Sequence, residues 1–189
     1  MNTQRMAAIL LIAVFAAVML STMVTPPGLY ATQDIDKRLE ILKIYRTRWL
    51  MERAVVVVSA LLMVVGFSLL ASTLRTTRAG WVPVLGAVVI VAGSIVAMYF
   101  VYLQTIDPRS GYSRAYSTPE DLAYWLWLAG TLLFGVAFLQ AGLPVWLGYL
   151  TAGVAILYGI AFLLTGAGFM TPFLVALLDL VIGIVLLKR

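Results

Sequence analysis

Residues 121–165 read DLAYWLWLAGTLLFGVAFLQAGLPVWLGYLTAGVAILYGIAFLLT, two long apolar runs separated by the uncharged joint QAGLP at 140–144. A helix rises ~1.5 Å per residue and the hydrocarbon core of a bilayer is ~30 Å thick, so about 20 apolar residues are needed to cross it. Each run has that length, and the one charge between them, Asp121, stands at the outer end of the first. A joint this short forces the two helices to run antiparallel. The stretch therefore reads as a transmembrane hairpin.

The same alternation of run and joint extends in both directions, predicting six spans near residues 6–24, 54–74, 81–103, 121–140, 144–165 and 169–187. Composition agrees: 63% hydrophobic, 11% charged and a mean hydropathy of +1.03 depart far from a soluble domain. The expected fold is all-α, a polytopic transmembrane helical bundle forming one membrane domain over 1–189. Its expected partner is the lipid bilayer, with itself or another membrane subunit as a second, and no nucleic acid. The first run, residues 6–24, is longer than the apolar core of a secretory signal and lacks a small-residue cleavage site, so it reads as a retained anchor.

Cys and His are both absent. That excludes disulfides, thiol nucleophiles, imidazole metal sites and His-ligated haem, and no cofactor or metal is expected. Chemistry is left to carboxylates, hydroxyls, amides and Arg.

The longest polar connector, residues 25–53, opens on Pro26, Pro27 and Gly28, which end the first helix. From Ile35 the residues Leu39, Leu42, Tyr45 and Trp49 recur at helical spacing, predicting an amphipathic helix over 33–50 that lies at the membrane interface and runs into span two. Lys37, Arg38, Lys43, Arg46 and Arg48 are its candidate headgroup contacts, against the plainer reading of a solvated face. Asp34 with Arg38 and Arg48 with Glu52 stand four residues apart, as helix-surface ion pairs do. The third connector, QTIDPRSGYSRAYSTPED at 104–121, ends on a helix start with Thr118 as cap, Pro119, then Glu120 and Asp121 in the first turn. Placement against the helix dipole accounts for those two acids without a catalytic role. Tyr124, Trp125 and Trp127 follow as an expected aromatic belt.

Arg5, Arg75, Arg78, Lys188 and Arg189 flank spans directly with no acid nearby, which places both termini in the cytoplasm. Counting every Lys and Arg of the connectors gives the opposite sense, because connector one holds so many. Its bases are mixed with acids, so the short flanks decide.

Lipid offers no hydrophobic drive for helix association, so contact faces are marked by small residues. Gly148, Ala152, Ala155 and Gly159 form such a helix-packing stripe on span five. Span six carries Pro172, Ala176, Asp179 and Gly183 on one face, and Asp179 is the member that does not fit. An acid at a helix centre costs about 2.5–3.5 kcal/mol on insertion and each Leu, Ile, Val or Phe returns about 0.3–0.6, so the apolar residues of 169–187 insert the span regardless. Asp179 is expected to face the bundle and to hydrogen-bond one of the polar groups at similar depth, Ser94, Thr131 or Tyr158. These four are the candidate ligand or proton site, against the plainer reading of an interhelical hydrogen bond.

The hairpin segment LASTLRTTRAGWVPVLG (70–86) and the later AGLPVWLGYLTAGVAIL (141–157), together with a first span followed by a polar amphipathic connector, resemble a family of uncharacterised bacterial six-span membrane proteins, a domain of unknown function. The resemblance implies an integral protein of the bacterial inner membrane and carries no functional residues. AGWVPVLG (79–86) and AGLPVWLG (141–148) also resemble each other, as the joints of a duplicated hairpin would. Three functions are compatible with the residues: a non-catalytic scaffold or accessory subunit packing through its Gly/Ala faces, a binder or carrier of a small lipophilic molecule or of a proton or cation at Asp179, and an intramembrane enzyme using Asp179 with Asp107, Arg109 and Arg114. The last is disfavoured by the half-bilayer separating those groups, and the reading leans away from an enzyme.

Overall fold

The computed structural model describes residues 2–32, 34–112, 117–165 and 171–188. These residues are helical with no strand among them: α1 (Thr3–Val24), α2 (Ile35–Ile44), α3 (Arg46–Leu74), α4 (Val82–Ile106), α5 (Pro108–Gly111), α6 (Ser117–Gln140), α7 (Val145–Thr165) and α8 (Thr171–Leu187). Five of them, α1, α3, α4, α6 and α7, are long and apolar enough to cross a membrane. At 17 residues α8 is shorter, with a reach of about 26 Å at 1.5 Å per residue. Residues 169–170 of the sixth expected span, Arg114, and the side chains of Thr118 and Pro172 lie outside the described part.

Local chemistry sets the joints. Gly80 and Gly142 both take a left-handed backbone, φ 56° and 71°, that costs glycine nothing. Each is followed within three residues by a proline at the start of the next helix, Pro83 and Pro144, where a missing N–H is harmless. The similar segments AGWVPVLG and AGLPVWLG thus make the same kind of turn.

The expected continuous helix over 33–50 is instead two. α2 ends at Tyr45, whose φ of −110° and ψ of 31° break the helix, and α3 begins at Arg46, eight residues before the expected span. Asp34 caps α2 by accepting hydrogen bonds from the amides of Asp36 and Lys37. Neither expected four-residue ion pair forms. Arg38 Nε donates to the Thr32 carbonyl and its guanidinium lies 5.7 Å from the centre of the Tyr112 ring. Arg48 donates to the Met23 carbonyl at 3.1 Å. Tertiary acceptors win because a solvated helix-surface pair is worth only ~0.3–0.5 kcal/mol.

In space the long helices follow the order α8, α1, α3, α4, α6, α7, each packed along the next, while the two ends of the series, α7 and α8, barely touch. Glycines create the close approaches. A Cβ at Gly130 would come within 3.0 Å of the Gly86 carbonyl on α4, one at Gly135 within 2.7 Å of the Ala152 amide on α7, and one at Gly183 within 2.7 Å of the Ala8 carbonyl on α1. Gln4 Nε2 donates to the Leu186 carbonyl at 3.1 Å, which fixes α8 antiparallel to α1. At the centre Phe67, Phe134 and Phe138 are fully buried, with ring centroids 4.7 and 6.0 Å apart.

Candidate functional site

Two features stand out: a buried polar cluster at the end of the bundle that carries connectors one and three, and an apolar cleft between α7 and α8.

The cluster is built on α3. Glu52 and Arg53, which the sequence boundaries put outside span two, are only 4% and 8% exposed. They form an ion pair at 2.9 Å. Arg53 Nη1 donates to Gln104 Oε1 at the end of α4, and Arg53 Nη2 donates to the Tyr30 hydroxyl. That hydroxyl donates in turn to Glu52 Oε1 at 2.8 Å. Nearby, Trp49 Nε1 donates to the Tyr112 hydroxyl at 3.2 Å, and the Tyr124 hydroxyl donates to Glu120 at 3.1 Å. Burial raises the pKa of the Tyr30 hydroxyl well above its ordinary value, against the lowering pull of Arg53, and raises that of Tyr112 in the same way. Both phenols are neutral donors near pH 7.

A lid covers this cluster. The apolar side of α2, Leu39 and Leu42 with Ile41, packs onto Leu29, Trp49 and Tyr112 to form a second small core. The face expected to enter lipid is therefore turned onto protein, although Ile44 is 67% exposed. Lys37, Lys43, Arg46 and Arg48 are exposed and Arg38 is half-buried. Glu52 Oε2 and Arg53 Nε are buried without a hydrogen-bond partner among the described residues. One is an acceptor and the other a donor. The arrangement is a staple that ties connector one to α3 and α4.

The expected Asp179 site is not assembled. Asp179 is 1% exposed, on the helix face whose Gly183 approaches α1, and its Oδ2 has no hydrogen-bond partner among the described residues. Ser94 instead accepts a hydrogen bond from Trp127 Nε1 at 3.2 Å. Thr131 is buried in α6, and Tyr158 lies on α7 facing α8. Asp179 bonds to none of the three. Depth counting placed them at one level, but levels say nothing of angle around the bundle.

Asp107 and Arg109 stand at the connector end, where Arg109 forms an exposed ion pair with Asp36 at 3.2 Å. They form no common site with Asp179. Of the expected aromatic belt only Trp125 faces outward. Tyr124 is 9% exposed and Trp127 reaches Ser94, because consecutive helix positions point ~100° apart and cannot share one face.

The Gly/Ala stripe of α7 is spent inside the chain. A Cβ at Gly148 would meet Leu139 and the Gly135 carbonyl, Ala152 sits against Gly135, and Gly159 lies beside Trp125, all on α6. Ala155 is buried. A partner using this face would have to displace α6.

The opposite side of α7 is open. Leu150, Val154, Leu157 and Tyr158 face Leu174, Leu177, Leu178 and Val181 of α8 across a cavity of about 260 Å³. Toward the chain termini a second cavity of about 430 Å³ is bounded by Pro144, Trp146, Val181, Ile184, Val185 and Lys188. Val181 lies on the wall of both cavities. Among the described residues no cluster of three acids that could hold a metal occurs. The cleft can take an apolar chain, with Tyr158 and Lys188 the polar side chains on the walls of the two cavities. No family model, no curated protein and no solved structure matches this chain.

Proposed function

We propose that the chain is a six-span, non-catalytic protein of a bacterial inner membrane that binds one lipophilic molecule, a membrane lipid or an amphiphile of that shape, in the lateral cleft between α7 and α8. The carrying observation is the cleft itself: α7 and α8 barely touch and an apolar slot lies between them, whereas glycines bring α1 close to α3 and α8, and α6 close to α4 and α7. In a bilayer a slot between helices does not stay empty, since lipid tails are as apolar as Leu. The resemblance to six-span bacterial membrane proteins supports the membrane. α8, antiparallel to α1, makes the sixth crossing, and α2 sits at the interface with its bases toward headgroups. The termini and the joint between α3 and α4 are cytoplasmic, where Arg5, Arg75, Arg78 and Lys188 are exposed.

Val154→Trp fills the slot from the α7 wall. Native mass spectrometry of the chain released from mild detergent is expected to show one retained lipid on the original chain and none on the variant. Equal retention by the two would sink the reading.

A further inference from the structure

The charge of this chain is sorted by end. Of its eight acids, Asp34, Asp36, Glu40, Glu52, Asp107, Glu120 and Asp121 lie at the connector-one and connector-three end and Asp179 lies within α8, so none is at the end that holds the termini. That end carries Arg5, Arg75, Arg78 and Lys188. The second cavity, which meets the wall of the α7–α8 cleft at Val181, lies there, and Lys188 is the charged side chain that lines it. Beside it, Gln4 holds the Leu186 carbonyl and keeps the exposed Arg5 close to the last turn of α8. The deeper part of the cleft is aliphatic except for Tyr158.

Tail contacts select poorly between lipids, because leaving the bulk bilayer for an apolar slot exchanges one hydrocarbon surface for another. Discrimination therefore falls to the headgroup, and the headgroup at this end meets Lys188 with no acidic side chain among the described residues beside it. We infer, building on the cleft reading, that the occupant is an anionic phospholipid of the cytoplasmic leaflet, its chain along Val154, Leu177 and Val181 and its phosphate at Lys188. Exposed Trp146 on the same wall suits the headgroup boundary, where an indole keeps its ring in hydrocarbon and its N–H near water. A Lys near an anionic surface adds the equivalent of about a fivefold preference, and salt screens it.

The test uses the full chain in detergent, exchanged with phosphatidylglycerol or with phosphatidylcholine of the same acyl chains and read by native mass spectrometry. We expect phosphatidylglycerol to be retained about fivefold over phosphatidylcholine, from the worth of one such base. Lys188→Gln removes that preference while lipid is still held. Val154→Trp and, from the other wall, Leu177→Trp release both lipids. Equal retention of the two lipids by the original chain, or an undiminished preference in Lys188→Gln, overturns the headgroup assignment and leaves the cleft standing. Retention untouched by both Trp variants overturns the cleft, and the headgroup assignment with it.

Discussion

At the scale of single residues the costliest groups are Glu52 and Arg53, a charged pair removed from water by the lid of connector one. Breaking a buried pair leaves the survivor uncompensated, at about 3–5 kcal/mol, whereas replacing both charges by apolar groups is often neutral or better. Arg53→Met alone is therefore expected to lower the free energy of unfolding in detergent by about 3 kcal/mol. Adding Glu52→Leu to the same chain is expected to recover most of that loss. A full thermodynamic cycle measured by denaturant titration decides the matter, and a double variant as unstable as Arg53→Met would mean that the bonds to Gln104 and Tyr30 carry the stabilisation and not the charge pair. Asp179 poses the opposite case, a buried acid whose Oδ2 has no hydrogen-bond partner among the described residues. It sits on the α1-facing side of α8 and not on the cleft wall, so the lipid reading asks nothing of it.

Elements in this fold associate through glycine, and two glycines near each other in sequence are expected to respond in opposite senses. Gly135 lies where a Cβ would stand 2.7 Å from the backbone amide of Ala152, and backbone cannot step aside as a side chain can. Gly135→Ala must push α6 and α7 apart and is expected to cost about 1–3 kcal/mol, the usual penalty of overpacking. Gly153 on α7 has nothing within 4 Å of that position. Gly153→Ala gains helix propensity without a clash and is expected to stabilise by up to about 1 kcal/mol. Thermal midpoints of the two purified variants give the comparison. Two destabilised chains would place an unseen surface against Gly153.

For the whole molecule the decisive quantity is which end faces the cytoplasm, and the chain is well suited to the measurement because it contains no Cys. Single cysteines at exposed Thr76, between α3 and α4, and at exposed Lys37 on α2 report opposite ends of the bundle. In intact cells an impermeant maleimide is expected to label Lys37→Cys and to reach Thr76→Cys only after lysis. The reverse pattern would invert the molecule and move the basic mouth of the cleft to the outer leaflet.

Much of the architecture was legible before any coordinates. Run length, hydropathy and tight proline-glycine joints depend on local geometry and on the thickness of a bilayer, which is why the five longest apolar helices lie where the composition changes and why Gly80 and Gly142 turn the chain. The break at Tyr45, the burial of Glu52 and Arg53, and the inward turn of Tyr124 were not legible, because each depends on a surface supplied by a distant segment: Leu29, Gln104 and α3 for the first two, Phe162 of α7 for the last. The spacing of Gly148, Ala152, Ala155 and Gly159 announced a packing face but not its partner, which is α6 of the same chain. Depth along a helix can be counted from sequence, whereas the angle at which a side chain meets its neighbours is set only when the helices pack. So sequence alone determined a multi-pass helical chain with its acidic connectors at one end, and tertiary structure decided that Asp179 stands apart from Ser94, Thr131 and Tyr158 and that the open side of the bundle lies between α7 and α8.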